Sequence, residues 1–295
     1  MIKAALAAVP SLRSVPLAVL SIISDYAAPR IIILGGGEEV WTLAVGEKNW
    51  FQLAAGTDLI FVAGGMMHWR PSSSRCYSLQ TCTVVAPMTC PRQGAAGVSI
   101  CGRMFVFGGY GVGALSDCEV FDPTTNKWTM LPAMSTSRFD ACAAEWQGRA
   151  FVIGGLNADF NSVASVECYD LELNRWSAVA AMHSDRVRAA AVGIPGHGLL
   201  VMGGRGGTSH GVPLRSAELY DSVTDQWTIM TWELPQPLYN FYAHCIHGVL
   251  YILGNLYGMP RDSWSMDFNV SQRVWVPLPP LPFTLTTVLG SIVMD

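Results

Sequence analysis

A chain of 295 residues, 51% apolar and 14% charged, can bury a large core as one all-β domain or as two smaller domains. The charged fraction lies well below the roughly 25% of an average soluble domain, which excludes a disordered chain. A formal net charge of -4, a pI near 5.8 and the lack of any Lys/Arg-rich run argue against a nucleic-acid partner.

Residues 1–29 read as a tail or linker ahead of a folded unit at 30–295. The stretch 16–23 is apolar and follows Lys3 and Arg13, but Pro10 and Pro16 interrupt it, so it makes a poor signal peptide. A mitochondrial presequence fits the missing acids but wants more arginine. No apolar run reaches the ~18 residues of a membrane helix, so no membrane partner is expected.

From residue 31 onward a short apolar strand runs six times into a glycine pair or its remnant. The pairs are Gly35-Gly36, Gly64-Gly65, Gly108-Gly109, Gly154-Gly155, Gly203-Gly204 and Gly254-Asn255, with first glycines 29, 44, 46, 49 and 51 residues apart. An aromatic-Asp element follows in three units: Phe121-Asp122, Tyr169-Asp170 and Tyr220-Asp221. Seven residues after each aromatic stands Trp128, Trp176 or Trp227, and Glu119, Glu167 and Glu218 lie two residues before it. Met134 and Met182 follow, then Arg138 and Arg186, with Arg92 as the earlier equivalent.

Unit three divides into strands near 93–99, 103–108, 117–122 and 127–131, rich in β-branched and aromatic residues between turn residues. Apolar runs before the glycines predict strands covered on both faces, so neighbouring four-stranded sheets must stack. A radial stack leaves only short edges exposed.

With these co-spaced markers, residues 30–294 resemble a kelch-repeat β-propeller. The implied fold is all-β with six blades, similar to the propeller of kelch-like ubiquitin-ligase substrate adaptors. The segment 283–294 resembles a first strand and is expected to complete blade one ahead of residues 31–34 and to close the ring; residues 16–23 are the other source of that strand. Trp50 lies 14 residues before Gly64, against 26 from Trp128 to Gly154, so blade two is expected to be truncated to three strands unless another segment completes it.

Glycine tolerates positive φ and close backbone approach, which a sharp bend after the second strand requires. The aromatics and tryptophans are expected to fill the wedges between blades. Glu119, Glu167 and Glu218 are expected to be partly buried and paired with the repeat arginines or with backbone amides. The eight cysteines form no CxxC and read as small buried apolar residues of a reducing compartment, the cytoplasm.

The resemblance implies partner docking at the ring face made by loops after the glycine pairs and before the innermost strands. Carried over by position, it gives Tyr110, Arg205, Met66 and Leu256, then His68 and Trp69. Before the inner strands it gives Gln93, Arg138, Asp140, Arg186, Arg188, Asn240 and Tyr242. The arginines would favour a protein partner or an acidic peptide. Arg138 and Arg186 keep repeat register and have a structural alternative; Arg188 and Arg205 read as outside it. Loop 205–216, with Arg205, His210 and Arg215, is the most distinctive.

A non-catalytic, monomeric interaction module without cofactor or metal is therefore expected. His244 and His247 would point to opposite faces of a strand. The alternative is a small-sugar-processing enzyme such as a sialic-acid mutarotase, which the resemblance also admits, with Asp140, Arg186, Arg188 and Tyr242 as acid/base groups. A copper-radical oxidase would need His and Tyr ligands that motif spacing does not assemble.

Overall fold

The computed structural model describes residues 86–277 apart from 209, 247 and 254–263, together with the backbones of strands outside that range. At Tyr242, Ile246 and Leu253 it describes the backbone alone.

Four antiparallel four-stranded sheets, as expected of kelch blades, occupy the stretch from residue 96 to 277. In chain order the first holds β9 (Ala96–Ile100), β10 (Arg103–Phe107), β11 (Cys118–Asp122) and β12 (Lys127–Leu131). The second holds β13 (Cys142–Trp146), β14 (Arg149–Ile153), β15 (Val166–Asp170) and β16 (Arg175–Val179). The third holds β17 (Ala190–Ile194), β18 (Gly198–Met202), β19 (Ala217–Asp221) and β20 (Gln226–Ile229). The fourth holds β21 (Tyr242–Ile246), β22 (Val249–Leu253), β23 (Trp264–Asp267) and β24 (Val276–Pro277). The expected start of unit three at residue 93 moves to Ala96, because Gln93 is bridged to Tyr110 after the second strand and Gly94 O accepts Asp140 N of the next unit.

β18 is apolar and buried on both faces, and β10 and β14 are so after an exposed first arginine, whereas the outer β12 and β16 leave most positions open. Three apolar clusters each straddle two neighbouring sheets. Phe105 and Phe107 pack with Val152 and Tyr169; Phe151 and Ile153 with Val201, Tyr220 and Trp227; Leu200 and Met202 with Ile252 and Met266. A sheet on its own would leave half of each cluster in water.

Before residue 86, β3 (Ala54–Gly56), β4 (Leu59–Ala63), β7 (Cys76–Ser78) and β8 (Thr83–Val85) form another sheet, with β5 (Met66–Met67) and β6 (Arg70–Pro71) as a separate ribbon. The second unit therefore has four strands where three were expected; three of them are shortened to three residues. A further sheet runs β1 (Arg30–Leu34), β2 (Glu39–Ala44), β25 (Gly290–Val293). Its C-terminal strand pairs with β2, not with the expected residues 31–34.

The six described cysteines are free thiols. Cys118 and Cys168 are buried, and burial pushes their thiols up to about 12 and about 11. Cys90, Cys142 and Cys245 are only partly covered and Cys101 is exposed, so the uniform burial expected of the set does not hold.

Candidate functional site at the ring face

The repeat arginines and glutamates form the frame of this face. Arg92, Arg138 and Arg186 each place Nη2 on a glutamate Oε1, at 2.7 Å to Glu119, 2.8 Å to Glu167 and 3.0 Å to Glu218. Each Nη1 donates to two carbonyls, one from the first glycine of the pair and one just before the third strand: Gly108 and Asp117, Gly154 and Ser165, Gly203 and Ser216. Each glutamate also accepts two backbone N–H bonds, from Thr89 and Cys90, Ser135 and Thr136, or His183 and Ser184. Burial alone would push the Glu218 carboxyl up, but the His183 N–H and Arg186 outweigh it and hold it below its ordinary value. These pairs bear out the expected Glu–Arg burial.

Arg138 and Arg186 therefore leave the candidate surface. Both are 1% exposed, and their Nη atoms are spent on framework groups. A partner reaching them would have to open the inter-strand loops they clip together.

Two residues beyond each repeat arginine the chain turns left-handed. Gly94, Asp140, Arg188 and Asn240 have φ of 57°, 53°, 57° and 52°. Their backbones link the sheets: Asp140 N donates to Gly94 O at 2.7 Å, Arg188 N to Asp140 O at 2.8 Å and Asn240 N to Arg188 O at 2.9 Å. Arg188 thus stands in register, contrary to the sequence reading. Asp and Asn tolerate this conformation; arginine has no such preference. Arg188 is held there by its side chain as well, with Nε at 2.9 Å and Nη2 at 2.8 Å from Asp140 Oδ2. Both side chains of this pair stay partly open to water, 25% for Arg188 and 10% for Asp140.

One residue closer to each repeat arginine lies a second row. Gln93 pairs with Tyr110, Phe139 with Leu156 and Val187 with Arg205, so Arg205 occupies the position of Tyr110 and is also in register. Its guanidinium carbon lies 3.8 Å above the Tyr239 ring, and its Nη1 donates to Gly211 O at 3.4 Å. No described acid pairs with it. Tyr110, Phe139 and Phe160 form an aromatic trio with ring centroids 5.1 to 5.9 Å apart. Phe160 is 53% exposed at the tip of loop 156–165, and Val112 and Val212 are exposed in the two flanking loops.

Asp140, Arg188, Asn240, Tyr110 and Arg205 therefore share one face through contiguous backbone contacts. Tyr242 begins β21 two residues past Asn240, while His68, Trp69 and Leu256 lie outside the described residues. Phe139, Leu156, Phe160 and Tyr239 were missed. For Phe139 and Tyr239 the signal was the offset of one from the repeat arginine, or from Leu238 in its place, and for Leu156 the offset of one from the glycine pair; Phe160, in a non-repeating loop, carried none.

The fold and this face define a kelch-repeat propeller. A family model described as the KLHDC2/KLHL20/DRC7 Kelch-repeats domain matches residues 60–255, and the chain belongs to that family. It is 40% identical over 73 residues to the spermatocyte protein spe-26 of Caenorhabditis elegans, covering 22% of this chain and 13% of that protein. It is 31% identical over 90 residues to the F-box/kelch-repeat protein At1g67480 of Arabidopsis thaliana, covering 28% of this chain and 24% of that one. The matched segments thus span a quarter or less of these relatives. Among solved structures, that of YjhT has the same fold, with a TM-score of 0.59, 17% identity, and coverage of 72% of this chain and 75% of that one.

Proposed function

We propose that this propeller is a non-catalytic recognition module that docks an acidic segment of a protein partner on the face carrying Arg188 and Arg205. The supporting observation is Arg205: a cation stacked on Tyr239 with one long hydrogen bond and no acid among the described residues. A half-desolvated guanidinium in that state gains most from an incoming carboxylate. The reading extends to substrate recognition for a ubiquitin ligase, in keeping with the F-box/kelch-repeat relative, and to a reducing compartment, in keeping with the free thiols. An array of acidic peptides and their Glu→Gln counterparts tests it. Wild type should retain acidic members in a salt-sensitive manner, and Arg205→Gln should retain them at least tenfold more weakly. Identical retention by both proteins rejects the face.

A second reading, a small-sugar-processing propeller, is favoured by a different observation. Asp140 and Arg188 bring an acid and a fixed cation together at the belt, partly open to water, with Asn240 next in line. Arg186 drops out of its catalytic set because it is buried in the frame. This reading expects saturable exchange of sialic-acid anomers by NMR, abolished in Asp140→Asn; no acceleration by wild type excludes it.

We further propose a six-bladed ring closed by the C-terminal strand. The support is that β25 lies against β21 on one side and β3 on the other, while β9, β13 and β17 continue the series between them. Removing residues 283–295 should lower the melting temperature of the whole propeller; an unchanged melt removes the closure.

A further inference from the structure

Loops 156–165 and 205–216 belong to different sheets, yet one carboxylate holds both. Asp185 Oδ2 accepts the Ser162 hydroxyl from the first loop and the Gly207 N–H, at 2.7 Å, from the second. The repeat does not require an acid there. The residue before the repeat arginine is Pro91 in one unit and Ser137 in the next, and Pro237 precedes Leu238.

Each loop is also fixed internally. Asn157 Oδ1 accepts the N–H groups of Asp159 and Asn161, a tight turn that leaves Phe160 left-handed and outward. In the other loop Gly211 N donates to Thr208 O, and Gly211 O accepts from Arg205. Two internally tight loops joined at a single acceptor move as one body.

We infer that Asp185 is a positioning residue that braces these loops into one surface, setting the spacing of Phe160 and Arg205 for a partner segment with one large apolar side chain and one carboxylate. The partner half of this statement rests on the recognition reading above; the brace does not. Phe160 supplies the apolar contact against Tyr110 and Phe139, and Arg205 supplies the charge. Although burial pushes Asp185 up, the Ser162 hydroxyl and the Gly207 N–H outweigh it and keep it below its ordinary value, so the brace is an ionised acceptor at neutral pH.

Hydrogen exchange on the full chain tests the brace. Asp185→Ala should speed exchange at 157–163 and 206–212 together, by roughly tenfold or more, with the strands unchanged. Ser162→Ala should loosen the first loop alone. Asp185→Asn, which keeps a carbonyl acceptor on the same stem, should restore most of the protection. Release of neither loop, or of one only, by Asp185→Ala overturns the brace, and if that variant does not fold, an unaltered first loop in Ser162→Ala overturns it.

Peptides carrying one Phe and one Glu at varied separation test the partner. Wild type should select one separation, Asp185→Ala should bind all separations alike, and Phe160→Ala should lose the preference for Phe. An Asp185→Ala protein that keeps the wild-type separation overturns the spacing role. Failure of every peptide with wild type, alongside coupled loop exchange, rejects the recognition reading and leaves the brace standing.

Discussion

At the scale of single residues, the arginine–glutamate clip is a buried charge pair in which both Nη atoms and both carboxylate oxygens are engaged, while Nε of Arg138 and Arg186 is left without a hydrogen-bond partner among the described residues. Glu218 is fully covered and receives Arg186, two backbone N–H groups and the His183 ring. Removing one charge strands the other, which typically costs ~3–5 kcal/mol. Glu218→Gln should therefore lower stability by about that amount in urea unfolding at pH 7. The pH dependence has a definite sign. The folded carboxyl sits below its ordinary 4.5, so its contribution is present above that value and is lost as pH falls through the folded pKa. Wild type should lose stability on acidification below about pH 4.5, and Glu218→Gln should lose less of it over the same window. Equal losses in the two proteins would reassign the acid sensitivity to other carboxylates.

The strands join into wedges at the next scale, and there the tryptophans carry the packing. Trp128, Trp176 and Trp227 pack in tilted contact with Phe121, Tyr169 and Tyr220, ring centroids 5.1 to 5.2 Å apart, and donate Nε1 to the carbonyls of Ala86, Pro132 and Ala180, each in the segment leaving the preceding sheet. Trp227 is 5% exposed and more deeply set than Trp176, so Trp227→Ala should cost ~3–5 kcal/mol by thermal or urea unfolding, more than Trp176→Ala. This layer was legible because fixed spacing records fixed packing. Legibility ends where spacing drifts. Trp275 makes the same bond, to Glu233 O at 2.8 Å, but Met266 replaces the aromatic and the turn is longer, so the offset is nine instead of seven. The belt was hidden for another reason. Asp140, Arg188 and Asn240 were placed before the inner strands, but Gly94, Asp140, Arg188 and Asn240 share a backbone torsion and no side-chain chemistry, so their residue types did not show Arg188 to be in register with the others.

At the scale of the whole molecule, the apolar clusters and the belt join each of the four described sheets between residues 96 and 277 to the next, so the stability of one of these sheets is not its own. Leu200 is fully buried in the third sheet and packs against residues of the fourth, while its neighbours Leu199 and Val201 face the second. Leu200→Ala removes apolar area and leaves a cavity, typically ~2–5 kcal/mol. If each sheet were an independent unit, only β17 to β20 would lose protection in hydrogen exchange. Shared clusters predict a different result: β13 to β16 and β21 to β24 should lose protection by a similar factor, within a single unfolding transition. The same coupling bears on the recognition proposed above. Loops on a scaffold that opens only as a unit keep their spacing until global unfolding, so partner binding should fall along the same temperature curve as the near-UV signal of the wedge tryptophans. A binding loss well below that transition would place the weak point in the loops and identify their braces, rather than the sheets, as what limits recognition.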